Sequence, residues 1–267
     1  MHELSTDLAT DVATDGVTDV ATDVVIVGAG GAGLTAAGTI AAANPGLRVL
    51  VVEQDLDEPC NTAIASNFIP AAGTRFQRAA GIEDAPQLFA ADVMKKNAGR
   101  SDALITRVLC ERSADAVHWL VDALGVNLEL APELTWLGHS AIRMHAHPTR
   151  GGPPVLASLR AFAEGSAHID IMDRTVGTGL IQSDDGAIHG ISAQRGNEAL
   201  RIRARKVVLT TGGYNANSEL LARHIPDMAD APNIGANTDR GDGIVWGEEA
   251  GAATALMSGY QGRDCIS

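Results

Sequence analysis

Apolar residues in this chain fall into two patterns: short unbroken runs that end at glycine, and longer stretches where they return every third or fourth position. Val24-Val25-Ile26-Val27 and the stretches 48–53 and 206–211 are of the first kind. Short β-branched runs without alternation predict strands covered on both faces, as in a parallel sheet. Helical spacing marks 31–43, 86–98, 102–124, 154–164, 217–224 and 243–252. In 102–124 the apolar positions are Leu104, Ile105, Val108, Leu109, Ala116, Leu120 and Leu124, with Gly125 as the stop. From 168 to 204 the pattern changes to short alternating runs (168–173, 175–182, 187–194 and 198–204), with Asp184-Asp185-Gly186 as a hairpin turn. Strand, glycine turn, helix and strand within 24–53 make a βαβ unit, and with it an α/β fold: a parallel sheet with an antiparallel β insertion around 168–204.

The N-terminus does not fit either pattern. Thr-Asp recurs at 6–7, 10–11, 14–15, 18–19 and 22–23, and the acidic residues from Glu3 to Asp23 meet no Lys or Arg. Repeated Thr and Asp oppose helix, and low complexity with one sign of charge predicts a disordered acidic tail over 1–22. The whole chain carries 20 Lys+Arg against 33 Asp+Glu, a net charge of −13, which excludes a phosphate-backbone partner and so a nucleic-acid binder. Hydrophobic residues at 45% and charged residues at 20% suit an ordinary globule able to bury a core without staples. Cys60, Cys110 and Cys265 are odd in number and lack CxxC spacing, so they read as reduced thiols rather than a disulfide or zinc framework. Residues 24–43 are uncharged but hold five glycines, which argues against a membrane span. The acidic start is unlike a signal peptide, so the expected location is cytoplasmic.

Chemistry enters at Gly28-Ala29-Gly30-Gly31-Ala32-Gly33, a GxGxxG placed between a predicted strand and a predicted helix. The first glycine allows a tight turn, the second lets a diphosphate approach the backbone, and the third permits close helix–strand packing. The diphosphate then meets the positive end of the helix. Glu53 stands twenty residues beyond Gly33, followed by Gln54. A carboxylate there accepts hydrogen bonds from both ribose hydroxyls and repels a 2′-phosphate. Strand, turn, helix and acid together predict a Rossmann-like dinucleotide site, and the spacing admits FAD and NAD alike.

The stretch 61–74, with Asn61, Thr62, Ser66, Ala72 and Gly73, resembles the flavin-contacting segment of the FAD-dependent fumarate reductase/succinate dehydrogenase flavoprotein family. Three further blocks resemble it in the same order: 145–152, 206–217, and Gly241-Asp242-Gly243-Ile244 followed by Gly251-Ala252. The resemblance covers about 23–261 and implies a single FAD-binding domain over 23–267, incomplete at its C-terminus. It implies that Asn61 lies beside the isoalloxazine and Asp242 on the flavin side of the cofactor. Thr211, Gly212 and Gly213 would lie by the adenosine and diphosphate, and the strand around Val176 would offer adenine a backbone contact. Membrane-type members carry a His bonded to FAD where Asn61 stands, so the resemblance implies non-covalent FAD. Asn67-Phe68 replaces the family's frequent Gly-Gly. The family's capping domain and returning segment, which grip the substrate and deliver the proton through His and Arg, have no counterpart before Ser267. No catalytic residue is therefore assigned; the missing half is expected to lie on a second polypeptide or to have been trimmed away.

The implied activity is FAD-dependent reduction or formation of a C=C bond beside a carboxylate or carbonyl. A flavin-binding module without turnover, a 3-ketosteroid-dehydrogenase-like enzyme and an NAD-dependent dehydrogenase are the alternatives. His139, His145 and His147 share a loop with Arg150, but no Asp, Glu or Cys occurs between 134 and 163 to complete a metal set. Arg150 reads either as an anion contact or as a salt bridge in the fold. Asp184-Asp185-Gly186 lacks the further ligands of a calcium loop, and Ser66 has no His/Asp partner spacing for nucleophilic catalysis.

Overall fold

The run Val24-Val25-Ile26-Val27 does become the centre of a parallel sheet, and the rest of the architecture is built around it. The computed structural model describes residues 9–12, 17–133 and 137–260. In chain order the elements are β1 (Ala9–Val12), β2 (Thr18–Val27), α1 (Gly31–Ala43), β3 (Val49–Val52), α2 (Asn61–Ile64), β4 (Ile69–Pro70), α3 (Arg75–Ala79), α4 (Pro86–Lys96) and α5 (Ala103–Asp122). There follow β5 (Glu129–Leu130), β6 (Met144–Ala146), α6 (Pro153–Glu164), β7 (Ile169–Met172), β8 (Thr175–Gln182), β9 (Ile188–Arg195), β10 (Glu198–Leu209), α7 (Ser218–His224), a 3-10 turn (Pro226–Met228) and α8 (Asp242–Glu249). The chain divides into two compact units, Met1–Asn61 with Ser166–Ser267, and Thr62–Gly165. Chain topology explains the division, because the second unit is inserted in the connection between the parallel strands β3 and β7.

The first unit is a seven-stranded sheet in the order β7-β3-β2-β10-β9-β8, with β1 also paired to β2. β7, β3, β2 and β10 run parallel, while β9 pairs antiparallel with β10 and β8 antiparallel with β9. The antiparallel strands thus continue the main sheet, and β7, expected within the insertion, belongs to its parallel part. The runs 198–204 and 206–211 fuse into the single strand β10, which pairs with β9 over its first half and with β2 along most of its length. Val25, Val27, Leu50, Val52, Met172, Ile191, Ile202 and Trp246 make the core of this sheet. On α1, Gly33, Leu34, Ala37, Gly38 and Ala41 form the buried stripe.

Order begins well before Val24. The segment 18–22, expected in the disordered tail, is the first half of β2, and 9–12 pairs antiparallel to it with Asp11 opposite Asp19. Thr and Val favour strand once a partner is present, and β10 supplies one. Residues two apart share a face of a strand, so the four-residue repeat puts Asp19 and Asp23 on one side. Arg201 and Arg203 meet Asp19 at 3.3 Å, and Arg205 meets Asp23 at 3.5 Å. Composition alone misses this, because the arginines lie about 180 residues away. The earlier Thr-Asp pair at 6–7 and that at 14–15 lie outside the described residues.

In the second unit, β4, β6 and β5 form a small antiparallel sheet. Helix α5 buries Thr106, Cys110, Ser113 and Val117, and of the predicted apolar positions Leu124, just past its end, is buried. Leu104 and Ile105 are 60% and 67% exposed, and Val108 and Leu109 are also exposed. Periodicity identifies a helix but does not fix its rotation, and here small side chains allow the close approach to α4. A buried cation organises this unit: Arg143 clasps Asp84 through Nε and Nη2 at 3.0 and 2.9 Å, reaches Asp92 at 2.6 Å and lies over the Phe89 ring. Among the described residues no helix is long and apolar enough to cross a membrane.

Candidate functional site

The C-terminal ends of β2, β3 and β10 meet in the first unit, the edge at which open α/β sheets bind ligands. Gly28 leaves β2 with φ +107°, and its N–H donates to Val52 O at 2.8 Å, tying the turn to β3. A methyl group on Gly28 would stand 2.5 Å from Thr210 O, and one on Gly33 would overlap the Gly28 carbonyl oxygen. Both glycines are therefore required by sterics, as the motif predicts. Gly30 is the N-cap of α1 and bears no side chain to cap it; no acidic residue lies in the first turn that Gly31, Ala32 and Gly33 begin. The positive end of α1 is thus not neutralised by a side chain of its own helix, which suits an anionic ligand.

Glu53 closes the other side. Its Oε2 accepts the Ala29 N–H at 2.7 Å and its Oε1 the Asp55 N–H at 3.1 Å. A carboxylate has about four acceptor positions, so two bonds fix its orientation and leave acceptor capacity for two hydroxyls. Gln54 follows it, half-buried. The Glu53 carbonyl accepts the Thr175 N–H at 2.9 Å, which places Val176, 45% exposed, one residue from the acid's own backbone. Gly177 lets Trp246 pack directly on β8.

The turn after β10 completes the group. Thr211 Oγ1 accepts the Gly243 N–H at 3.2 Å, and Gly213 O accepts the Gly241 N–H at 2.9 Å, which joins this turn to the start of α8. Asp242 is the first residue of α8 and is exposed. Gly212 has φ +76° and lies against the buried Asp239 carboxylate, where any side chain would collide. Asn61 is drawn into the same loop: its amide donates to Asp239 Oδ2 at 2.5 Å and accepts the Ala236 N–H at 2.9 Å. Thr210 and Asp239 do not stand out in the sequence. A Thr-Thr-Gly-Gly after a buried strand was the one available signal for Thr210, and none was available for Asp239.

The remaining expected positions lie in the second unit. Thr62 O accepts the Asn67 amide at 3.0 Å, and Gly152 packs against both. Asn67 adopts φ +53°. Asn is one of the few non-glycine residues that takes this left-handed conformation, so the turn forms here without a glycine. Ser66 and Phe68 are half-buried. Ala72 is buried with Phe89 and Cys110, its N–H donating to Ser113 Oγ at 3.1 Å, and Gly73 has φ +77°.

The loop histidines separate. His145 is fully buried, with Nε2 2.9 Å from Thr74 Oγ1 and Nδ1 3.0 Å from Arg143 O; burial lowers its pKa against the pull of the Ile69 and Arg143 carbonyls. His147 bonds to Thr149 and His139 packs on Phe89. Of the two readings of Arg150, the salt bridge is seen, to Glu133 at 2.5 Å and Glu129 at 3.1 Å. Among the described residues no three His, Cys, Asp or Glu side chains gather as a metal site requires. Cys60 and Cys110 are free thiols, and Cys265 lies outside the described residues.

The chain is 32% identical over 246 residues to a probable fumarate reductase, Ifc3, of Shewanella frigidimarina, a match that covers 91% of this chain and 41% of that protein. A flavocytochrome c3 fumarate reductase in its open conformation superposes with a TM-score of 0.80 at 32% identity, over 87% of this chain and 41% of the other. The 3-ketosteroid-delta4-(5alpha)-dehydrogenase of Rhodococcus jostii RHA1 superposes with a TM-score of 0.78 at 27% identity, over 89% and 55%. The chain thus spans about two-fifths of the length of these two fumarate reductases. Residues 23–261 match the family model of the FAD binding domain, so this chain belongs to that family of flavoproteins, with FAD as its cofactor.

Proposed function

We propose that the chain is the cofactor-holding part of an FAD-dependent oxidoreductase of the fumarate reductase/succinate dehydrogenase type, acting on a C=C bond next to a carboxylate or carbonyl. The observation that carries this reading is Glu53, already oriented by the Ala29 and Asp55 N–H groups beside an α1 N-terminus with no side-chain cap. When bound, FAD supplies hydride chemistry. The chain's own share is to bind and orient: Glu53 takes the ribose hydroxyls, 28–33 receive the diphosphate, the backbone at Val176 meets adenine, and Thr211, Gly212 and Gly213 leave the backbone approachable. Asn61 and Asp242 are assigned to the flavin end; for Thr62, Ser66, Ala72 and Gly73 the support is the resemblance of the 61–74 stretch to the family's flavin-contacting segment.

In this reading FAD is held non-covalently, since Asn61 offers no nucleophilic ring nitrogen. The groups that grip substrate and move the proton come from outside these residues, on the same polypeptide or a second chain, and the site of action is the cytoplasm. A ketone substrate is the second reading, supported by the likeness to the ketosteroid dehydrogenase. The visible spectrum of the purified chain, before and after loading with FAD and desalting, tests the proposal. A retained, perturbed flavin spectrum whose chromophore is released by acid is expected. Absence of saturable FAD binding overturns the cofactor reading, and appreciable fumarate reduction by this chain alone with a reduced dye overturns the outside origin of the catalytic groups.

A further inference from the structure

The peptide between Gly28 and Ala29 is fixed at both ends. Its carbonyl oxygen lies 3.0 Å from the Thr210 hydroxyl, and its N–H donates to Glu53 Oε2 at 2.7 Å. In a trans peptide the C=O and N–H point in opposite directions, so a hydroxyl that holds the carbonyl on one side aims the N–H at the carboxylate on the other. Thr210 Oγ1 also lies 2.8 Å from Val27 O, which accepts the Thr210 N–H at 2.9 Å as well, so the one hydroxyl sits between the Val27 and Gly28 carbonyls and ties the end of β2 to the turn that follows it. The start of α1 seals the arrangement, since a methyl group on Gly33 would fall 2.8 Å from Thr210 Oγ1 and overlap the Gly28 oxygen. Rotation of this peptide by half a turn would point its carbonyl oxygen at Glu53 and remove an N–H from the face that receives an anion.

We propose that Thr210 is a positioning residue for the adenosine diphosphate part of the cofactor: through the Gly28 carbonyl its hydroxyl sets the Gly28–Ala29 peptide, and the peptide sets Glu53. The inference rests on the FAD reading above and goes beyond it, because Thr210 acts without touching the cofactor. The chain itself, with T210V, T210C and T210S, provides the test. FAD affinity is read by flavin fluorescence, ADP is the competitor, and the cofactor-free melting temperature is followed by circular dichroism. T210V is expected to weaken FAD and ADP alike by about tenfold, equivalent to 1.4 kcal/mol, while T210S stays within about threefold of the parent.

A role in folding alone would not change with the state of Glu53, so the decisive reading is made in an E53Q background. There T210V costs much less, because the group it positions is already impaired. If T210V fails to fold, T210C, similar in size and a weak donor, takes its place in the same cycle. Unchanged FAD affinity in the hydroxyl-free variant, or losses that simply add with E53Q, overturns the proposal. A parent chain that binds neither FAD nor ADP overturns the cofactor reading instead, so the two failures are distinguishable.

Discussion

Replacing Arg143 with methionine keeps much of the side-chain volume but removes the cation from between two carboxylates in the Thr62–Gly165 unit. The Arg143 and Asp84 side chains are wholly buried, and that of Asp92 is 13% exposed. Removing one partner of such a pair leaves a charge that neither water nor a counter-ion compensates, at a cost of about 3–5 kcal/mol. The Arg143 guanidinium also lies 4.7 Å from the Phe89 centroid, and a neutral methionine forgoes that cation–π attraction. At about 2–4 °C per kcal/mol for a chain of this size, R143M should melt on the order of 10 °C below the parent at pH 7. R143K keeps the charge but not the two-pronged grip on Asp84, so it should fall between them.

The sign of the pH dependence gives a second check. Desolvation pushes the Asp92 carboxyl up, but the Ser140 N–H and hydroxyl, with Arg143, outweigh it and hold the group below the usual carboxylate range. In the parent this stability is present above the unfolded pKa of about 3.9 and is lost as pH falls through the lower folded value. In R143M the Asp92 carboxyl loses the guanidinium that helps hold it low, and its protonation as pH falls from 7 towards 4 relieves the uncompensated charge. The gap between the two proteins should therefore narrow in acid. Thermal melts by circular dichroism at pH 7 and pH 4 decide the matter: a loss under about 2 °C at pH 7, or a gap that does not close, refutes the account.

Glu53→Gln should weaken FAD binding by about 10–100-fold, the worth of one or two hydrogen bonds to a charged acceptor, and a fluorescence titration showing parent-like affinity would remove Glu53 from the site. For His145 the folded pKa is lowered by burial, so the unfolded chain takes up a proton near pH 6.5 that the fold refuses. Its stabilisation is complete above that pH and drains as pH falls towards the folded value; the melting temperature of the parent should drop more between pH 7 and 5 than that of H145Q. On α5, I105K on the exposed face should change stability by no more than about 0.5 kcal/mol, whereas V117A on the buried face should cost about 2 kcal/mol. Urea unfolding that reverses this order would mean the predicted face is the buried one.

Glycines and acids whose roles depend on a few neighbouring residues were legible in the chain. Gly28, Gly33 and Glu53 stand where their spacing put them, and α1 keeps its expected bounds of 31–43. The hairpin at 184–186 was equally local: Ser183 and Ala187 close it by a backbone bond of 2.9 Å. Asn67, which stands where the family often has glycine, takes a left-handed conformation, which a residue name alone does not reveal.

Where long-range partners decide, the chain was silent. The segment 18–22 looks like a tail until β10 arrives with Arg201, Arg203 and Arg205; the rotation of α5 depends on which side admits α4; Thr210 acquires a role because β10 ends beside β2 in a register that pairs Leu209 with Val27. Local sequence by itself determined where the backbone can turn, which runs are apolar enough to be covered on both faces, and that an acidic residue follows the glycine turn at the dinucleotide spacing. Tertiary structure decided which polar groups lose water together and must therefore satisfy one another, as Thr210 and Gly28, Asn61 and Asp239, and Arg143 with its two aspartates do, because desolvation is a property of neighbours in space and not of neighbours in the chain.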